Sequence, residues 1–197
     1  MKRKTSRQIQ AENTKKRILD TVADILRKKS YEQMSILEIC DKAGISVGAF
    51  YHHFENKAAL IVELYRDVDD YFVFEVYDRV KDMEPKEAVL TFLKEQCRYA
   101  IDTGIETSSN VYKAQVDNGN EFYVSSDRGI AKCLHGLLSS MKEKGILAED
   151  TDTVLLRDDL LLITRGIIYN WCVTDGKVDM MALVDRIAGN YLRSCCA

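Results

Sequence analysis

The run from Ser35 to Leu60, SILEICDKAGISVGAFYHHFENKAAL, signals a helix start, a helix stop and a second helix start in close succession. Ser35 is placed to cap a helix, and Glu38, three residues on, completes a capping-box pattern. Ile36, Ile39, Cys40 and Ala43 recur at helical spacing on one face. Gly44 stands where a helix end favours a left-handed residue. Ile45 supplies an apolar plug for the turn, and Ser46 is a second capping candidate. Val47, Phe50, Tyr51 and Phe54 give the following helix an apolar stripe. Cys40, four residues before the turn glycine, is small where two crossing helices need room. Two short helices at a steep angle around a tight turn form the helix-turn-helix pattern, whose second helix lies in the DNA major groove. An ordinary helical hairpin shares the pattern, so the spacing alone leaves both open.

The segment GISVGAFYHHFENKAAL resembles the recognition segment of the tetracycline-repressor (TetR) family of bacterial transcription regulators. The matching residues are Gly44, Ser46, Gly48, Phe50, Tyr51, His53, Phe54, Lys57 and Leu60, and the likeness extends over roughly residues 14–64. The resemblance implies an all-α chain. It would comprise an N-terminal three-helix DNA-binding domain with a helix-turn-helix and a larger C-terminal helical domain for ligand binding and dimerisation. It implies a homodimer on a palindromic double-stranded DNA operator, usually as a repressor, released by a small-molecule effector. Carried over residue by residue, it puts Ser46, Val47, Gly48, Ala49, Tyr51, His52 and His53 near the groove. Ser35, Tyr51, His53 and Lys57 would take the phosphate side, and Val47, Ala49 and His52 would face base edges. Val47 stands where relatives often carry a polar or basic residue, which shifts the expected readout towards DNA shape. Phe50 and Phe54 are read as core.

Charge divides along the chain in the same sense. The net charge is −3, yet residues 1–60 carry 12 Lys and Arg against 7 Asp and Glu, and the remainder carries 16 against 24. A basic head on an acidic body suits nucleic-acid contact at one end. Apolar residues make up 46% of the chain, no apolar run approaches a membrane span, and the N-terminus has no secretory h-region; a cytoplasmic protein is expected. The cysteines at 40, 97, 133, 172, 195 and 196 form no Cys-x-x-Cys pair and are read as small buried hydrophobes, the last two at a frayed end.

The expected organisation is a basic flexible arm over 1–11, a helix-turn-helix domain over 12–56 and an effector-binding and dimerisation domain over 57–197. The arm either reaches DNA or is a solvated tail. A first helix is predicted over 12–29; Lys15, Lys16 and Arg17 near its start oppose the helix dipole, for phosphate contact or for solubility. A long helix over 56–83 would cross between the domains until Pro85 stops it. Further helices are predicted over 86–103, 107–116, 121–144, 151–173 and 179–193, with a turn at Asp117-Asn118-Gly119-Asn120.

Candidate ligand contacts are Tyr99, Tyr112, Phe122, Tyr123, His135, Tyr169 and Trp171; each is also an ordinary core type. The segment over 151–173 is apolar on more than one face, so it is either a fully buried helix or one side of a four-helix dimer interface. That interface is expected on Leu156, Leu160, Ile163, Ile167, Leu183 and Ile187, with Arg165-Gly166 allowing close backbone approach. No phosphate loop, His-Glu-x-x-His or Gly-x-Ser-x-Gly is present, and the three histidines leave little for catalysis. No catalytic residue, metal or cofactor is expected. The alternative to a regulator is a helical dimer that binds a ligand or protein but not DNA.

Overall fold

The computed structural model describes residues 5–118 and 121–197. The described residues are 77% helical. An isolated antiparallel bridge joins Leu147 to Cys196. Helices run in the order α1 (Ser6–Leu26), α2 (Ile36–Ala43), α3 (Val47–His53), α4 (Lys57–Tyr71), α5 (Tyr77–Val80), α6 (Pro85–Thr103), α7 (Ile105–Asn118), α8 (Gly129–Glu143), α9 (Thr153–Val173), α10 (Met180–Leu183) and α11 (Gly189–Ser194). Among the described residues no helix is long and apolar enough to cross a membrane.

Side-chain caps start most of these helices. Ser46, Asn56, Asp152 and Asp179 each accept a bond from a backbone N–H of the first turn. Pro85 sits at the first helical position of α6 behind Glu84, whose carboxylate accepts from Lys86 and Glu87. Ser35 also caps α2, but the reciprocal half of the expected capping box is missing. Glu38 instead holds Lys29 and Lys42 with its carboxylate. A complete box lies earlier, where Thr5 and Gln8 cap α1. Residues 6–11, expected as a flexible arm, are therefore the first turns of α1. Residues 1–4, and Gly119 and Asn120 of the expected turn, lie outside the described residues.

Two apolar cores result. The head buries Ile18, Val22, Leu26, Met34, Ile39, Phe50, Phe54, Leu60 and Ile61; the body is centred on Phe72, Phe92, Leu93, Leu134, Leu138, Leu160 and Val184. Leu60 and Ile61 belong to α4, so its first turns are part of the head. Phe72 and Val76 follow on the same rod within a π-helical turn (Phe72–Val76) that leads into α5 and packs into the body.

The predicted long helix over 121–144 is two pieces. A 3-10 turn at Glu121–Val124 is separated from α8 by a bend, and Arg128 closes the bend by reaching back to α4. Its guanidinium donates to both oxygens of Asp69 at 2.9 to 3.1 Å, and the Asp69 carboxylate also accepts from Ile130 N at 3.4 Å. Arg128 and Asp69 are both buried, so the pair pins the start of α8 against α4. Gly129 lets the two backbones meet, because a Cβ there would lie 2.7 Å from Val73 Cγ2 and 3.1 Å from Asp69 Cβ. The C-terminal cysteines are not frayed: Cys195 O accepts from Ala148 N at 2.9 Å. Buried Cys97 and Cys133 have their thiol pKa values pushed up to about 12 and about 11 by burial, so both stay protonated.

Gly129→Ala is expected to destabilise the chain by about 1–3 kcal/mol through overpacking against Val73 and Asp69. Gly48→Ala, where a Cβ would meet only Ser46 Oγ at 3.9 Å, is the helical control. Urea denaturation of both checks this, and equal midpoints would show that the α4–α8 contact is not tight.

Candidate functional site

The surface of the head is set by how its core is filled. Gly44 adopts φ +62°, and Ile45 N closes the turn onto Cys40 O at 3.0 Å. Ser46 Oγ accepts from Ala49 N at 3.1 Å and starts α3. Phe50 and Phe54 are buried with ring centroids 5.6 Å apart, so they fix the rotation of α3. The opposite face is then outward: Ser46, Val47, Gly48, Tyr51 and His52 are exposed, while Ala49 and His53 are half-buried. Burial lowers the His53 pKa, helped by His52 and Lys15, so the ring is held towards its neutral form. Ser35, at the start of α2, is exposed on the same head.

One residue of the predicted DNA set is used differently. Lys57 Nζ donates to Tyr31 O at 2.8 Å and Met34 O at 3.0 Å, and lies 4.2 Å from the Tyr31 ring centroid. Two of its three N–H groups thus tie α4 to the α1–α2 connection. Lys15 is likewise paired, with Glu63 at 2.5 Å; Lys16 and Arg17 remain exposed. Leu37, 71% exposed beside Ser35, was not singled out from sequence. Its signal was a large apolar residue off the Ile36, Ile39, Cys40, Ala43 stripe.

A cavity of about 310 Å³ lies between head and body. Leu19, Asp20 and Ala23 of α1 form one wall, and Leu64, Asp67 and Val68 of α4 another. Gln96, Tyr99 and Ala100 of α6, Thr107, Val111 and Tyr112 of α7, and Leu161, Arg165 and Ile168 of α9 complete it, with Tyr123 and Arg128. Tyr123 Oη donates to Tyr112 Oη at 3.1 Å, and Tyr112 Oη to Arg165 O at 3.0 Å. Gln96 Nε2 and Thr107 Oγ1 are buried and have no hydrogen-bond partner among the described residues. Close by, α7 is fastened to the head: Asn110 Nδ2 donates to Leu26 O at 3.0 Å and Lys29 O at 3.1 Å, satisfying carbonyls at the end of α1.

Residues 18–64 match the family model described as "Bacterial regulatory proteins, tetR family". Residues 18–64 are thus a TetR-type DNA-binding segment. The chain is a DNA-binding transcriptional regulator with the family's all-α architecture. The fatty acid metabolism regulator protein of Bacillus subtilis is 20% identical over 174 residues, covering 86% of this chain and 89% of that protein. The crystal structure of that organism's regulator FadR, in complex with stearoyl-CoA, superposes with a TM-score of 0.62 at 20% identity, covering 86% of this chain and 92% of the other. A TetR transcription regulator from Haloarcula marismortui superposes with a TM-score of 0.73 at 18% identity, covering 94% and 100%.

Three of the predicted ligand residues, Tyr99, Tyr112 and Tyr123, line the cavity. The other four do not. Phe122 packs against the head core, with the guanidinium of Arg66 5.4 Å from its ring. His135 Nε2 is 3.3 Å from Thr153 Oγ1. Tyr169 is exposed and meets the outer edge of Tyr112, and Trp171 belongs to the body core. Gln96, Thr107 and Arg165 were missed. Gln96 had a readable signal, a polar residue continuing the buried Val89, Phe92, Ala100 stripe of α6.

The predicted interface needs a similar correction. Leu156, Leu160 and Ile167 are buried inside their own protomer, and Ile163 and Leu183 are packed on the same core; Ile187 is exposed. The apolar positions of α9 that face outward are Val154 in its first turn and then Leu155, Leu162, Tyr169 and Val173, with Gly166 among the latter. The latter recur at three-, four- and seven-residue spacing.

Lys57→Met is expected to lower stability by about 1–3 kcal/mol, because it leaves the Tyr31 and Met34 carbonyls without their donor. It should leave the salt dependence of DNA binding unchanged. A salt titration whose slope falls by about one would instead assign Lys57 to a phosphate.

Proposed function

We propose that this protein is a homodimeric repressor that reads a two-fold symmetric operator with α3 and leaves it when a small molecule fills the cavity between head and body. The observation that carries the reading is the outward face of α3, where a family-matched segment presents Ser46, Val47, Gly48, Tyr51 and His52 to solvent. Val47 and Ala49 offer methyl contacts to thymine, and His52 offers a hydrogen bond to a base edge. Ser35, Ser46, Tyr51 and His53 serve the phosphate side. With few direct donors on α3, deformability of the DNA contributes to specificity. The family relationship favours a cytoplasmic regulator without catalytic activity.

One head makes too few contacts for useful selectivity, and a two-fold dimer spaces two of them about 34–36 Å apart, or a multiple of that. The outward stripe of α9, with Gly166 open to a second backbone, supports self-association through this helix with Ile187 alongside. That the Bacillus subtilis regulator forms a complex with stearoyl-CoA supports control by a bound small molecule. In this chain α1 and α4 of the head and α7 of the body share one cavity, so a ligand that fits one arrangement of these helices better than another shifts the population between them. Asn110 makes α7 the strut through which that shift reaches the end of α1.

Fluorescence anisotropy with DNA flanking the protein's own gene tests the DNA reading. Salt-sensitive binding with a symmetric footprint is expected. No binding at low salt would favour a helical module that binds ligand or protein alone. Leu162→Glu, at a site 67% exposed in the protomer, should leave Tm nearly unchanged, give a monomer by light scattering and weaken operator binding by at least about tenfold. A variant that stays dimeric would place the interface elsewhere.

A further inference from the structure

Three features of the cavity together indicate what it holds. Its walls are mostly apolar, from Leu19, Val68, Phe72, Leu161 and Ile168. Gln96 and Thr107 line it, and their enclosed Nε2 and Oγ1 atoms have no partner among the described residues; both side chains are more than nine-tenths buried. A buried donor left unmatched costs about 1–3 kcal/mol, so a site that keeps two such groups is shaped for a molecule carrying oxygen atoms. The third feature is charge. Arg165 stands beside Arg128, whose guanidinium is matched by Asp69. Arg165 itself donates to Tyr123 O at 3.2 Å and lies 5.0 Å from the Tyr123 ring, but no carboxylate among the described residues is within ion-pair distance of it. Asp158, the acidic residue whose charge acts on Arg165, is bonded to Arg157 at 2.7 Å. Burial depresses the Arg165 pKa, which records an uncompensated cation in a low-dielectric wall.

Size and the mouth exclude much of what an arginine could attract. A cavity of about 150 Å³ accommodates benzene, so about 310 Å³ accommodates roughly twelve non-hydrogen atoms. The lining residues that are exposed, Asp20 and Asp67, mark the mouth. Asp67 is raised in pKa by burial and by Asp70 and Glu63, with Lys15 opposing and Asp20 adding; Lys15 and Arg66 both pair with Glu63, which leaves Asp20 and Asp67 as the acids at the mouth. Such a rim repels the phosphates of a nucleotide tail left outside.

We infer that the cavity takes a free medium-chain carboxylic acid, its carboxylate on Arg165 and its chain along the apolar walls, and not a coenzyme A thioester. The acid is drawn in by a charge-assisted, fork-like pairing with the guanidinium. Gln96 and Thr107 supply further donors for its oxygen atoms. This inference rests on the effector-controlled reading above and narrows it to one ligand class.

The test uses the full chain with decanoate, decanol and decanoyl-CoA as probes, read by calorimetric titration and by Tm. Decanoate is expected to raise Tm in a dose-dependent way and to bind at least about tenfold more tightly than either decanol or decanoyl-CoA. Arg165→Gln should abolish the preference for decanoate over decanol, and Arg165→Lys, which keeps the charge, should retain part of it. Tm of each free variant establishes that it folds. Gln96→Met, which removes one orphaned donor, should raise Tm without ligand and weaken decanoate.

Equal binding of decanol and decanoate, tighter binding of decanoyl-CoA, an unchanged preference in Arg165→Gln or no binding of decanoate would each overturn the inference. The regulator reading is judged separately, on operator DNA. A neutral ligand or thioester that displaces the protein from DNA leaves that reading standing while this one falls. Decanoate that binds without altering operator affinity sinks the control by ligand and keeps the ligand class.

Discussion

Helix α4 is the element that head and body share, with the Asn110 link from α7 to the end of α1 as a second join. Its first turns place Leu60 and Ile61 in the head core, and the same rod continues through a π-helical turn to bury Phe72 and Val76 in the body. A rigid helix shared by two cores cannot tilt without disturbing one of them. Lys57 anchors its near end to the α1–α2 connection, and Asp69, paired with Arg128, anchors its far end to the start of α8. The buried ion pair is valuable here for location more than for net energy, since desolvation offsets much of its attraction.

Beside this rod the packing is incomplete, and the incompleteness is specific. The head and body could have closed on one another with apolar side chains alone. Instead they leave a cavity with two buried polar groups unmatched, and Arg165 without a paired carboxylate, among the described residues. A core selected for stability alone would fill that space. The arrangement suits a site whose last partners arrive with the ligand, and it puts that ligand against α1, α4 and α7 at once. Asn110, fixed to the carbonyls at the end of α1, keeps the two halves in register while the cavity is empty.

Much of this was legible in the sequence where local rules act. The caps at Ser35 and Ser46, the left-handed Gly44, and the stripe through Phe50 and Phe54 depend on neighbours within a turn, and the head follows from them. What was not legible depends on contacts distant in the chain. Lys57 has the charge of a phosphate ligand, but its partners lie 23 and 26 residues away. Leu160 and Leu162 are chemically alike and differ only in which side of α9 meets the body, so an all-round apolar sequence did not show which face the helix buries. The aromatic candidates for the ligand site divided for the same reason. Arg128 broke the predicted helix over 121–144 because its partner, Asp69, lies on α4.

The central claim is that occupancy of the shared cavity governs the head's grip on DNA. Ala100, buried in the cavity wall on α6, allows this to be tested without knowing the natural ligand. Ala100→Phe fills the space permanently, and operator affinity measured by fluorescence anisotropy at fixed salt is the deciding quantity. The account predicts binding at least about tenfold weaker than wild type while Tm holds or rises. A filled cavity with unchanged operator affinity would contradict it.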